Sequence, residues 1–97
     1  EVNCMRKQIA LCIGNDDYQF PCLNKLKCAS NDAIAVSEKL KMLNFDVITH
    51  TNLDRSSMHS VVDNFETQLS DYDVALFYLS SFGNNLVFFI SNFYYRP

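Results

Sequence analysis

The sequence holds two glycines, two prolines, two histidines and no tryptophan in 97 residues. So little glycine and proline excludes collagen-like and low-complexity chains, and with 48% apolar residues the composition is that of a folding chain rather than a disordered one. Gly14 is the only glycine before Gly83, so no glycine-rich loop exists to cradle a phosphate, which argues against a nucleotide site of that kind. Basic excess is lacking too. Eight Lys and Arg against eleven Asp and Glu leave a net charge of −3, and beyond the pairs Lys25/Lys27 and Lys39/Lys41 there is no basic cluster, so a nucleic-acid footprint is missing. Long hydrophobic runs are also absent: the longest apolar-leaning stretch, Leu86 to Tyr95, is too short for a membrane span and carries Ser91 and Asn92. No charged-then-apolar leader precedes the first strand-like run, so secretion is not expected. The length allows one domain at most.

Four cysteines are present, and their spacing decides against a metal. Cys4, Cys12, Cys22 and Cys28 match no C-x-x-C knuckle or zinc pattern. Cys12 lies inside the apolar run Ile9-Ala10-Leu11-Cys12-Ile13, where a thiol behaves as a small hydrophobe. An even count allows two disulfides, but reduced cysteines in a cytoplasmic protein are the expectation. No cofactor is expected, and no acidic cluster has the ligand count that calcium needs.

What remains is an alternation of strands and helices. Gln8 to Ile13 is a continuous apolar run closed by Gly14, the pattern of a central strand covered on both faces. Asn15 to Leu26 is polar, contains Pro21 and reads as a long loop. From Ser30, a plausible N-cap, Ala33, Val36, Leu40 and Leu43 recur on one stripe of a helix ending near Asn44. Phe45 to Thr49 is a short β-branched strand suited to a place nearer a sheet edge, with His50-Thr51-Asn52 after it. Asp54 or Ser56 caps a second helix that places Met58, Val61, Val62, Phe65 and Leu69 on one face and His59, Asn64 and Gln68 on the other. Val74 to Leu79 is a second buried strand. This order predicts an α/β fold of three layers, αβα, around a mostly parallel sheet with right-handed crossovers. Chemistry in such sheets gathers at the carboxyl ends of the strands: Gly14 to Asp17, Thr49 to Asn52, and Ser80-Ser81-Phe82-Gly83.

Several flavodoxin-like families share that order, so the strand ends have to choose between them. A phosphorelay receiver needs an aspartate at the end of strand three, and Tyr78-Leu79-Ser80-Ser81 offers none. Four segments instead resemble the caspase-like cysteine peptidases, in particular their metacaspase and paracaspase branches. Lys7 to Tyr18 is similar to the family's opening strand and its Gly-Asn-x-x-Tyr turn. Leu26-Lys27-Cys28-Ala29-Ser30-Asn31-Asp32-Ala33 resembles the entry to the first helix, Leu43-Asn44-Phe45-Asp46-Val47 the entry to strand two, and Asp73 to Ser80 the run into the Ser-Gly-His-Gly motif. The resemblance covers about residues 7–83 and implies a partial caspase-like fold, the p20 half-domain, followed by a divergent hydrophobic tail over residues 84–97.

The resemblance also assigns roles. In active relatives a His after strand three takes a proton and a Cys after the following strand attacks the scissile carbonyl. Here Phe82 occupies the His position, and a phenyl ring accepts no proton. Cys4, Cys12, Cys22 and Cys28 all lie upstream of the nucleophile's place, so the family's activity, cleavage after Arg or Lys, is not expected of this chain by itself. Asp32 matches the acid that in those branches receives the basic side chain of a substrate. A carboxylate in a pocket selects such a group by charge-assisted hydrogen bonding. Read without the resemblance, Asp32 is simply an acid in the first turn of a helix, favoured by the macrodipole. Asp16 and Asp17 are ordinary turn acids, and neither His50 nor His59 stands where the family keeps its base.

After Ser81 the resemblance stops. Phe82 to Pro97 carries six aromatics and one charge, Arg96. Leu86 to Ile90 reads as a fourth strand beside strand three, or else the whole tail is readthrough or a mis-joined gene model; either way this apolar run is aggregation-prone if left unpaired. Two functions follow: a caspase-like domain that is inactive alone, or a non-catalytic pseudo-peptidase module that regulates an active relative. The implied partners are a peptide or protein with a basic side chain and a caspase-like protein, not nucleic acid or membrane.

Overall fold

A computed structural model describes residues 7–16, 28–81 and 84–91. Phe82, Gly83, Asp17, Tyr18, Pro21, Cys4 and Cys22 lie outside the described residues. The elements are β1 (Gln8–Asn15), α1 (Ala29–Met42), β2 (Phe45–Thr51), α2 (Arg55–Gln68), a 3₁₀ turn (Leu69–Asp71), β3 (Val74–Ser81) and β4 (Asn84–Ser91). They build one four-stranded sheet of order β2-β1-β3-β4. Strands β1, β2 and β3 run parallel, while β4 pairs antiparallel with β3, so the sheet is mixed and mostly parallel.

The uninterrupted apolar character of β1 has its cause in this order. Flanked by two strands and covered on both faces, β1 buries every residue from Ile9 to Gly14. Alternation then sorts its side chains. Ile9, Leu11 and Ile13 join Phe65 and Ala75, with Met58, Val61, Val62 and Leu69 of the α2 layer packed against them. Ala10 and Cys12 join Ala33, Leu40 and Tyr78, with Val36, Val47 and Leu76 alongside. The two helices therefore cover opposite faces, which gives the expected three layers. Each fully buried Ile or Leu contributes about 1.5–3 kcal/mol.

Both helix starts follow from side-chain oxygens, but not always from the residue the sequence suggests. The Asp54 carboxylate accepts from the Ser57 amide at 2.7 Å and caps α2, as expected. In α1 the cap position belongs to Cys28 rather than Ser30, and the Cys28 side chain makes no capping bond. The Asp16 carboxylate, arriving from the end of β1, instead accepts from the Ser30 amide at 3.1 Å. An acid distant in sequence thus does the work of a local cap. At the other end Leu43 is 63% exposed rather than part of the apolar stripe, because α1 stops at Met42 and Asn44 turns the chain with φ of 69°.

Cys28 also corrects an expectation about the thiols: it is disulfide-bonded, not reduced. Its partner lies outside the described residues. Cys12 remains a free, buried thiol, as its apolar setting implied.

Candidate functional site

The carboxyl ends of β1, β2 and β3 meet at one rim of the sheet, held there by a reciprocal clasp between two asparagines. The Asn15 side-chain carbonyl accepts from the Leu53 amide at 2.9 Å, and the Asn52 side-chain carbonyl accepts from the Asp16 amide at 2.9 Å. The Asn52 amide donates to the Gly14 carbonyl at 2.8 Å, with Asn52 itself in the left-handed region at φ 56°. Asparagine tolerates that conformation at small cost. These bonds fix the ends of β1 and β2 against each other.

Gly14 brings α1 onto the same rim. A methyl group at this position would overlap the Ala29 carbonyl and come within 2.8 Å of the Ser30 Cα, so only glycine lets the helix backbone approach so closely. The Asp16 carboxyl reports the same packing. Burial would raise its pKa, but hydrogen bonds from Ser30, Asn52 and Ala29 outweigh that cost and hold it below its ordinary value of 3.8.

Asp32 stands, half-buried, in the first turn of α1 and is carried to this rim by the approach at Gly14. Its charge is felt at Tyr78, on the neighbouring face of β3. Burial pushes the Tyr78 hydroxyl above its ordinary range, Asp32 and Cys12 add to the rise, and a hydrogen bond with Ser80 works the other way. Ser80 is itself buried at 1% exposure near the end of β3. Below this cluster runs a polar seam. Ser37 is buried, its hydroxyl donates to the Ala33 carbonyl at 2.8 Å, and it lies 2.7 Å from the Thr49 hydroxyl. A serine has one proton to give, and Ser37 gives it to the Ala33 carbonyl, so Thr49 is the donor in that pair; the Cys12 thiol hydrogen-bonds the same Ser37 side chain. Burial is the largest influence on Cys12 and raises its pKa, against the Ser37 bond. The thiol is thus protonated and sealed inside the sheet, which is the opposite of what a nucleophile needs.

The histidines sit elsewhere. His50 pairs in register with Ile13, on the face covered by α2, whereas Asp32 belongs to the face covered by α1. His59 is exposed on the outer side of α2. Neither joins Asp32, Tyr78 and Ser80. Phe82, which the sequence resemblance led one to expect at the place of the family's base, lies outside the described residues. The α1 side of the rim therefore carries a carboxylate and hydroxyls, groups that bind and orient a cation, while His50, at the end of β2, lies on the α2 side. Among the described residues no group of three His, Cys, Asp or Glu side chains converges in a way that would hold a metal. No described helix is long and apolar enough to cross a membrane.

Sequence reasoning singled out Asp32 but missed the seam of Cys12, Ser37, Thr49, Tyr78 and Ser80. Its only signal was the placement of small polar residues at core positions of apolar runs, such as Ser37 between Val36 and Leu40. Compared with known proteins, no curated protein and no solved structure matches the chain. A family model does match: that of the caspase domain, over residues 7–93, which takes in every element from β1 to β4. With nearly the whole chain inside that match and a mostly parallel α/β sheet to go with it, this chain belongs to the caspase-domain family.

Proposed function

We propose that these residues form a caspase-like domain of the metacaspase and paracaspase type, whose family activity is cysteine endopeptidase cleavage after Arg or Lys, and that by themselves they bind a basic side chain without cutting the peptide. The observation that carries this reading is the seat of Asp32. A carboxylate in the first turn of α1, brought to the carboxyl rim by Gly14 and set beside Tyr78, is suited to a guanidinium or ammonium group. Supporting the lack of turnover, Phe82 occupies the place of the base, and Cys12 is a buried thiol with a raised pKa.

The test is a hydrolysis assay of the purified 97-residue polypeptide on fluorogenic peptides ending in Arg or Lys. No turnover is expected, and Phe82→His does not restore it, because an imidazole without an accessible thiolate completes no dyad. Turnover that a thiol-alkylating reagent abolishes would contradict the reading.

A second reading, a pseudo-peptidase module that regulates a caspase-like relative, is favoured by one observation: the apolar side chains that β4 leaves exposed. Co-purification with an active relative, lost on charging β4, is its expected outcome. A cytoplasmic setting belongs to both readings, and the Cys28 disulfide counts against it, since disulfides persist in oxidising compartments. Alkylation and mass spectrometry of protein isolated without reductant decides which holds.

A further inference from the structure

Of the two described cysteines, Cys12 is free and Cys28 is disulfide-bonded. With four cysteines in the chain, the partner of Cys28 is Cys4 or Cys22. Cys28 is the N-cap residue of α1, is 7% exposed, and its carbonyl accepts the Asp32 amide at 3.0 Å. The bond that closes the first turn of α1 therefore joins the cross-linked residue to the candidate binding acid. Two further contacts hold this helix start, both to the end of β1: the Asp16 carboxylate on the Ser30 amide at 3.1 Å, and Gly14 against the Ala29 carbonyl. Both lie past Cys28 in the chain, so the Cys28 carbonyl that receives Asp32 is fixed by that residue's own disulfide. The Cys28 side chain makes no capping bond, and its sulfur is committed to the cross-link instead.

We propose that the Cys28 disulfide is a reductive switch for the Asp32 site: intact, it fixes the first turn of α1 and the site holds a basic side chain; reduced, the turn frays and the site lets it go. The proposal rests on the reading of Asp32 as the residue that receives that side chain. The chemistry is thiol–disulfide exchange with a low-molecular-weight thiol. Its thiolate attacks the sulfur bonded to Cys28, the S–S bond breaks, and Cys28 leaves with the electron pair. A second thiol resolves the mixed disulfide, so two external thiols end as one disulfide and their two electrons and two protons pass to the protein sulfurs. Burial screens the sulfur of Cys28 itself, which directs attack to its partner and makes Cys28 the leaving group. The start of a 14-residue helix favours that departure, because its unpaired amides and its dipole stabilise an anion there. Cys12 does not compete, since it is wholly buried within the sheet. Once the cross-link is gone, the start of α1 keeps only the Asp16 bond as a cap, and helix ends held so lightly open locally at low cost. The chain thus binds in oxidising surroundings and releases in reducing ones.

Titration calorimetry and hydrogen exchange of the whole chain, each before and after treatment with dithiothreitol, test it. Alkylation under native conditions, read by mass spectrometry, reports when the Cys28 bond has opened, and Cys12 stays unlabelled. Before reduction an arginine-containing peptide binds and the Asp32 amide is protected. After reduction the affinity falls at least about tenfold and that amide exchanges at least about tenfold faster, while the amides of β1 do not change. Oxidised glutathione restores both. Cys28→Ala binds like the reduced protein and ignores dithiothreitol, and the measurements on the unaltered chain decide the matter without any variant having to fold. A Cys28 that is open to alkylation in protein isolated without reductant, or that dithiothreitol leaves bonded, overturns the proposal. So does a reduced protein with unchanged Asp32 exchange and unchanged affinity, a result that leaves the Asp32 reading in place. Absence of peptide binding in both states contradicts the Asp32 reading instead, and the Asp32 amide then decides the switch alone.

Discussion

Glycine 14 shows how much of this site depends on the absence of one carbon. Because the helix backbone at Ala29 and Ser30 occupies the space a side chain would need, Gly14→Ala forces α1 and β1 apart, and neither partner is a flexible side-chain end that can yield. We expect a loss of about 1–3 kcal/mol, read as a lower urea midpoint with an unchanged slope. Asp16 acts at the same junction through charge. Its folded-state pKa is depressed, so its contribution to stability is fully present above the ordinary carboxylate value of 3.8 and is lost as pH falls through the folded value. The melting temperature therefore drops on acidification toward about pH 3, and Asp16→Asn makes that acid limb shallower without removing the share of Asp54, whose pKa is also depressed by its bonds with Ser57.

At the scale of elements, the load on the central strand is unequal to that on the helix ends. Leu11 has no exposure and touches the α2 layer, whereas Leu43 is 63% exposed beyond the last turn of α1. Leu11→Ala is expected to cost about 2–5 kcal/mol and Leu43→Ala within about 0.5 kcal/mol, a contrast that chemical denaturation resolves directly. The same contrast explains what the sequence made legible. Continuous apolar runs revealed β1 and β3, and a stripe at helical spacing revealed α2, because burial on two faces or one leaves a period that local reading detects. The start and end of α1 were less legible. Its cap comes from Asp16, twelve residues before Cys28, and no local pattern encodes a hydrogen bond between a strand end and a helix start. The polar seam escaped notice for a related reason: Ser37 and Thr49 look like surface residues until β2 and α1 are packed together. Strand β4 was readable as a strand but not its direction, since pairing sense is a property of the turn and the partner strand.

For the whole molecule, two helices on opposite faces divide the chemistry of the carboxyl rim. Asp32, Tyr78 and Ser80 gather on the α1 side, and His50 is held on the α2 side by the register of β2 with β1. Asp32 was legible only through resemblance, because an acid in a helix's first turn is common on purely local grounds. Its placement at the rim is what the folded chain adds. Titration calorimetry of a short arginine-containing peptide against the whole chain and its Asp32→Asn variant tests that placement most directly. The account predicts binding that weakens at least about tenfold in the variant, roughly 1.4 kcal/mol, with the melting temperature little changed. Equal affinity for arginine and norleucine peptides, indifferent to the substitution, would contradict it.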